Sequence, residues 1–182
     1  MRRRIAPLLA VLFLSGLPGR AAAADFTAFV GGVKPGQLTV SNVRTSLDSS
    51  PIYGFRLSTN FVPLFGMEHT LAFSSDFLFP RNNVPPVQDS KGFVYSSNLI
   101  VNIPAKQAVP YVTAGVGLVR QYGSPNLPIG TKLAFNYGGG VKFRRLYGPL
   151  GLRFDARGYS ARGIFSSSLS LLEVSGGLLI SF

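Results

Sequence analysis

The residues of this chain that could do chemistry are charged side chains that alternate with small or apolar ones. Arg153, Asp155 and Arg157 occupy every second position of a short segment. A β-strand has a side-chain period of two, so all three side chains would project from one face of a strand. Charges on a buried face must pair, because an isolated charge is very costly in a low dielectric. The spacing therefore predicts a ladder of ion pairs inside a β-structure.

Catalysis or cofactor binding by the other polar residues has little support in the sequence. His69 is the one histidine, and Glu68 is its only local partner for general acid–base chemistry. With one histidine and no cysteine, no metal-ligand spacing exists. No helical pattern follows the glycines at 138–140, so they do not indicate a phosphate-binding loop. We therefore predict a non-enzymatic protein with no catalytic residue, no metal and no cofactor.

The composition favours a membrane β-barrel. The 182 residues include 15 Phe, 7 Tyr and 21 Gly but no Cys or Trp, and only 14% are charged, against roughly 25% in soluble domains. Mean hydropathy is positive, yet after the amino-terminal segment no apolar run is long enough for a transmembrane helix. Apolar residues that are abundant without being contiguous must alternate with others, which is typical of strands that cross a membrane.

The amino terminus has the pattern of a cleaved signal peptide. Arginines at positions 2–4 precede an apolar segment over 5–17, and alanines at 22–24 supply small residues for cleavage. We predict a signal peptide over residues 1–24 and a single domain over residues 25–182. Cleavage would remove four arginines and no acid, leaving 14 basic and 7 acidic residues of the original 18 and 7. These are not clustered with aromatic residues, so we predict no nucleic-acid binding.

Alternation predicts eight strands in the remaining chain. In the second, Phe55 and Leu57 alternate with Arg56 and Ser58. The third is expected to begin near residue 70, with Phe77 and Phe79 on its apolar face, and the last loop to cover 160–168. Long polar connections, including 34–50 and 80–91, alternate with short turns. The fold predicted is an all-β, eight-stranded antiparallel up-and-down transmembrane β-barrel that follows the signal peptide.

The final segment, residues 172–182, has an apolar face that includes Val174, Leu178, Ile180 and Phe182. It resembles the closing strand of bacterial outer-membrane β-barrels, and the resemblance implies that these four residues form the signal recognised by the barrel-assembly machinery. Residues 137–143 and 152–159 resemble the last hairpins of the eight-stranded OmpA/OmpX-like outer-membrane family. The resemblance implies an integral protein of the cell outer membrane that contacts outer-membrane lipid, and the signal peptide predicts export by the secretory route.

The predicted inward face carries small and charged residues. Its neutral members are mostly Gly, Ala, Ser, Thr and Asn, which suit the crowded interior of a narrow barrel. Aromatic residues near strand ends on the other face are typical of a membrane interface, and Arg120, on that face at a strand end, can extend to the interface. The predicted lumen charge network consists of Arg56, Asp76, Lys142, Arg153, Asp155, Arg157 and Glu173. Such a network would plug the lumen.

Three functions are compatible with this pattern. We predict a structural or surface-interaction role, with loops 34–50 and 80–91 as possible contacts for an external ligand. The first alternative is a soluble periplasmic lipocalin-like carrier, in which the apolar residues would line a central cavity and bind an apolar ligand. The second is a narrow small-solute channel, in which the charged residues would leave a conducting path.

Overall fold

Alternating side chains make the long segments of this chain strands, and hydrogen bonds close eight of them into a barrel. The computed structural model describes residues 23–36, 38–40, 43–45, 49–75, 77, 90–123, 130–164 and 167–182. The strands are β1 (Ala24–Pro35), β2 (Leu38–Val40), β3 (Val43–Thr45), β4 (Ser50–Asn60), β5 (Phe65–Ser75), β6 (Ser90–Asn102), β7 (Ala108–Gly123), β8 (Thr131–Tyr147), β9 (Leu150–Ile164) and β10 (Ser167–Ser181). Among these residues, no helix has the length and apolar character needed to span a membrane.

The barrel is an antiparallel up-and-down sheet closed on itself. Its strand order is β1-β10-β9-β8-β7-β6-β5-β4, and β2 and β3 form a separate two-stranded hairpin within the connection from β1 to β4. Closure joins the first strand to the last, with Asp25 opposite Ser181 and Pro35 opposite Leu171. Because no barrel edge is left free, the backbone groups of every barrel strand can pair within the sheet.

The two ends of the barrel differ in their connections. The turn end holds the start of β1, the end of β10 and the short connections 61–64, 103–107 and 148–149. Gly148 has a φ of 59° in the last of these turns, a conformation that favours glycine. The opposite end, here called the loop end, holds the connections 36–49, 76–89, 124–130 and 165–166. Both chain termini of the barrel therefore lie at the end with short turns.

The outward face is apolar and the inward face is polar. Phe55, Leu99 and Phe135 are 50%, 53% and 52% exposed, whereas Arg56 is 0% and Asp155 is 4% exposed. A soluble carrier would need the reverse arrangement, with these apolar side chains converging on an internal cavity. The carrier alternative is therefore wrong, because strand parity directs the aromatic and aliphatic residues to the perimeter.

The bounds of β5, β9 and β10 differ from the sequence-based prediction. β5 begins at Phe65 and ends at Ser75, so Phe77 lies in the turn that follows and is buried instead of facing outward. Its amide donates a hydrogen bond of 2.8 Å to the carbonyl of Ser90, which draws the residue over the barrel mouth. Phe79 lies outside the described residues. The predicted loop over 160–168 is replaced by strand, since β9 continues to Ile164 and β10 begins at Ser167.

Candidate functional site

Eight acidic and basic side chains of the described residues are buried in the lumen. Strand alternation places them there, because each lies at an inward-facing position of its strand. None is more than 4% exposed. The cations are Arg56, Lys142, Arg153 and Arg157, and the acids are Asp25, Glu68, Asp155 and Glu173. Four positive and four negative charges balance, so the buried set is electrically neutral.

The row on β9 forms the centre of the arrangement. The Asp155 carboxylate accepts hydrogen bonds from Arg153 Nε at 3.0 Å and from Arg157 Nη2 at 2.9 Å. The three residues are two positions apart along one strand, so the acid lies between the two arginines on the same face. This local pairing neutralises one of the two arginine charges, and a second acid is needed for the other.

Glu68 supplies the second acid from β5, on another side of the barrel. Arg153 Nη1 donates to Glu68 Oε2 at 2.6 Å, and Arg157 Nη2 donates to Glu68 Oε1 at 2.5 Å. Ser58 Oγ also donates to Glu68 Oε2, at 2.8 Å. One carboxylate thus bridges both arginines across the lumen, an arrangement that only closure of the barrel can produce.

Arg56 on β4 connects β9 to β10. Its Nη1 donates to Asp155 Oδ2 at 2.8 Å, and its Nη2 forms a short ion pair with Glu173. The guanidinium group also lies over the Phe29 ring, 3.6 Å from the ring centroid, in a cation–π contact. Arg56, Glu68, Arg153, Asp155, Arg157 and Glu173 therefore form one connected set, here called the ion network.

Two tyrosines and a serine add hydrogen bonds to the ion network, while Arg56 Nε is buried without a hydrogen-bond partner. The Tyr111 hydroxyl donates to Asp155 and accepts from Arg153 Nη2 at 2.8 Å. The Tyr159 hydroxyl donates to Glu173 Oε2 at 2.6 Å, and Ser175 Oγ donates to Glu173 Oε1 at 2.7 Å. A buried ion pair offsets its desolvation cost only when such additional hydrogen bonds are present.

A separate pair, Lys142 with Asp25, lies at the turn end, and Arg144 is a second cation on the same acid. Lys142 Nζ contacts Asp25 Oδ2 at 3.1 Å, and Arg144 Nη2 contacts the same oxygen at 2.5 Å. Ser181 Oγ donates to Asp25 Oδ1 at 2.9 Å. Lys142 is thus brought to β1 and has no ion pair to the ion network among the described residues. This pair joins β8 to the seam at which β1 and β10 close the barrel.

The predicted set and the observed set overlap without coinciding. The structure brings together Arg56, Arg153, Asp155, Arg157 and Glu173, places Lys142 in the turn-end pair, and leaves Asp76 outside the described residues. The prediction omitted Glu68, Asp25, Tyr111 and Tyr159. Glu68 has the same parity as the inward-facing Thr70 and Ala72, so extending the third strand toward its preceding turn would have found it.

The lumen half nearer the loop end holds mainly apolar side chains, with a few hydrogen-bonded polar ones such as Ser90 and Gln121. The apolar cluster consists of Phe29, Val33, Ile52, Ala72, Phe77, Val94, Val119, Ala134, Tyr159 and Leu171. Most of them lie on strand segments next to the long connections. Phe29 and Tyr159 belong to this cluster and also contact the ion network, through Arg56 and Glu173 respectively. The ion network and the apolar cluster are therefore in direct contact inside the barrel.

His69 lies on the outer face and does not share a site with Glu68. Its ring stacks on the Tyr95 ring with centroids 6.3 Å apart, and its Nδ1 is 3.2 Å from the Tyr95 hydroxyl. Glu68, the next residue along the strand, points into the lumen. Strand alternation thus separates the two groups, and they are not arranged for shared acid–base chemistry. Among the described residues, no three His, Cys, Asp or Glu side chains are grouped as a metal site would require.

The residues of the predicted assembly signal lie along the outer face of β10. Val174 and Leu178 are exposed, Ile180 is partly exposed, and Phe182 is exposed just beyond the end of the strand. Their cross-strand partners on β9 include Ala156 and Leu152. With Gly176 between Val174 and Leu178, they form an apolar row on the strand that closes the barrel against β1.

Sequence comparison identifies a family for most of the chain. A family model described as "Outer membrane protein beta-barrel domain" matches residues 8–170. No curated protein matches the chain at a significant level.

Solved structures share the fold at low sequence identity. Neisserial surface protein A has a TM-score of 0.63 and 14% identity, over 89% of this chain and 100% of that chain. Ail, the attachment invasion locus protein of Yersinia pestis, in complex with the heparin analogue sucrose octasulfate, has a TM-score of 0.52 and 14% identity, over 86% and 99%. The outer membrane enzyme PagL has a TM-score of 0.50 and 16% identity, over 86% and 98%. The similarity concerns the fold alone, because an enzyme and a protein solved with a bound ligand share it.

Proposed function

This chain belongs to the family of outer-membrane β-barrel proteins, and we propose that it is a non-conducting, non-enzymatic member with a structural or surface-interaction role. It is an integral protein of the outer membrane, with lipid around its apolar exterior. We also propose that residues 1–24 are a signal peptide and that residues 25–182 form the mature barrel domain. In support, β1 begins at Ala24, the last residue of the proposed signal peptide, so the barrel starts within one residue of the proposed boundary.

The burial of the inward-facing side chains is the observation that carries the proposal. A solute path requires solvated side chains along the whole axis, as in wide porins. In this barrel the ion network occupies one half, with every member hydrogen-bonded to another member, and the apolar cluster occupies the other half. Opening a path would require separating buried ion pairs, which is energetically costly. The alternative of a narrow small-solute channel is therefore the less favoured one.

The absence of enzymatic activity is proposed from the position of the one histidine. His69 and Glu68 face opposite sides of β5, and general acid–base catalysis needs two groups within reach of one substrate. The buried carboxylates of the ion network are engaged by arginines and are not accessible to a substrate. His69 does line an apolar hollow of the lipid-facing surface, with Phe55 and Tyr95 among its neighbours, but no described acid lines that hollow.

We propose that the loop end faces outward and that loops 34–50 and 80–91 contact an external ligand. Barrels of this class have short periplasmic turns and longer external loops, and both chain ends lie at the turn end. A protein with the same fold, Ail, was solved with a sulfated sugar. Removal of both loops by replacement with short turns should abolish binding of intact cells to such a ligand while leaving the barrel folded.

Planar-bilayer recording of the refolded protein tests the plugged lumen. We expect current no greater than the leak of the bare bilayer. The double variant Glu68→Ala/Arg153→Ala, which removes an ion pair together with its volume, should increase the leak and serves as the positive control. Discrete conductance steps from wild-type protein, with heat-modifiable gel migration showing that it is folded, would establish the channel alternative and overturn the proposal.

A further inference from the structure

An aromatic row on the outer surface ends at an arginine near the loop end. Tyr53, Phe73, Phe93 and Arg120 are successive cross-strand partners on β4, β5, β6 and β7. The ring centroids of Tyr53 and Phe73 are 6.4 Å apart, and those of Phe73 and Phe93 are 5.4 Å apart. Aromatic side chains of membrane proteins collect at the level of the lipid headgroups. The end of the row at Arg120, near the loop end of β7, is therefore where we expect the headgroup layer.

A hollow opens beside this arginine. It is lined by Phe73, Phe93, Arg120 and Tyr122 and has a volume of about 390 Å³. Lys91 is the cross-strand partner of Tyr122, and this pair lies two residues nearer the loop end than the pair of Phe93 and Arg120. Lys91 is exposed on the same outer face. Lys91 and Arg120 are thus diagonal neighbours, about 7–8 Å apart at the backbone. At this separation both long side chains can reach the same small anion. The hollow has a floor of two phenyl rings and a rim of Arg120 and Tyr122, and Lys91 lies beside that rim as the cross-strand partner of Tyr122.

The charged residues of the outer surface, within the part of the chain that the structure describes, are all basic. The four described acids are buried in the lumen. Lys34, Lys91, Lys106, Arg120 and Arg145 are exposed. Neither Arg120 nor Lys91 forms an ion pair with any described residue. Arg120 and Lys91 therefore have no described acid to neutralise them, and their charges are complementary to an anion in the headgroup layer.

We propose that this hollow binds a membrane lipid with an anionic phosphate headgroup. Arg120 and Lys91 hold the phosphate, since a guanidinium presents paired donors to phosphate oxygens and an ammonium adds a point charge. One acyl chain lies on the rings of Phe73 and Phe93, and the Tyr122 hydroxyl faces the headgroup. The hollow lies on the outward, lipid-facing surface of the barrel, so lipid binding there depends on neither the plugged lumen nor the loop ligand.

Lipid retention in nanodiscs tests the proposal. The full mature barrel is refolded into neutral phosphatidylcholine nanodiscs containing a minor fraction of phosphatidylglycerol, and native mass spectrometry counts the lipid that stays bound after release. We expect one phosphatidylglycerol to be retained by wild type and roughly tenfold less retention by Arg120→Gln/Lys91→Gln, since each basic side chain strengthens anionic-lipid binding severalfold. Each single variant should give an intermediate loss.

A charge-matched control variant separates specific binding at the hollow from general attraction of anionic lipid to a basic surface. Lys34→Gln/Lys106→Gln also removes two exposed cations, but neither belongs to the hollow, so its lipid retention should equal that of wild type. Equal losses in both double variants, or no loss in either, would overturn the proposal. Displacement of the lipid by millimolar inorganic phosphate would also overturn it, since the phenyl floor would then contribute nothing. Heat-modifiable migration of each variant verifies folding independently of lipid binding, and bilayer conductance tests the plugged lumen separately.

Discussion

The two halves of the lumen are filled by opposite chemistries although the same strands supply both. On β10, Leu171 belongs to the apolar cluster and Glu173, two positions later on the same face, belongs to the ion network. Charged side chains connect distant strands, as Glu68 of β5 does with β9, and they require specific partners. Apolar side chains require only adequate volume. The ionic half should therefore be sensitive to the loss of any one partner, and the apolar half to the loss of volume.

The largest effect should follow from Glu68→Gln. The change preserves shape but leaves Arg153 and Arg157 to share Asp155, and breaking a buried pair by neutralising one partner costs about 3–5 kcal/mol. The free energy of unfolding from lipid vesicles, measured by urea titration with gel mobility as the readout, should fall by this amount. A loss below about 1 kcal/mol would show that the ionic half does not depend on specific partners.

Truncation in the apolar half should come next. Ile52→Ala removes buried volume next to the loop end and should cost about 2–5 kcal/mol in the same titration. Its matched control is Ile52→Leu, which conserves volume and should cost less than about 1.5 kcal/mol. Equal losses for the two substitutions would mean that shape, and not volume, determines stability in this half.

Tyr159→Phe tests the boundary between the halves. The substitution keeps the ring in the apolar cluster and removes one hydrogen bond of 2.6 Å to Glu173. Because that acceptor is charged, the expected loss is about 1.5–3 kcal/mol. Ser175→Ala removes the other hydroxyl that donates to this carboxylate and should give a comparable loss, since the two donors contact different oxygens. If neither variant changes the free energy of unfolding, the stabilisation of Glu173 comes wholly from its pair with Arg56.

A double-mutant cycle separates the halves by their coupling. Glu68→Gln and Arg153→Gln affect one ion pair and should show an interaction energy of about 0.5–3 kcal/mol. Glu68→Gln and Ile52→Ala should be additive within about 0.5 kcal/mol, because Glu68 is opposite Ser58, six residues along β4 from Ile52. Strong coupling between Glu68→Gln and Ile52→Ala would show that the ion network and the apolar cluster act as one unit.

Sequence reasoning could predict the faces because the direction of a strand side chain is a local property. The inward position of Arg56, Lys142 and Asp155 follows from the two-residue side-chain period of a β-strand. The pairing of Glu68 with β9 could not be predicted in this way, since it depends on barrel closure and on the reach of long side chains across the lumen. Strand ends were also poorly predicted: Phe77 keeps the outward parity of β5 but lies beyond the last residue of that strand, where the alternation no longer applies.

The distribution of the buried charges along the chain has a consequence for assembly. Before the connection 76–89, the fully buried set holds Asp25, Arg56 and Glu68, a sum of −1; after it, Lys142, Arg153, Asp155, Arg157 and Glu173 sum to +1. A protein cut within that connection would yield two fragments that each carry an uncompensated charge and attract one another. Such a nicked barrel should reassemble from its separated parts, and each fragment alone should insert poorly.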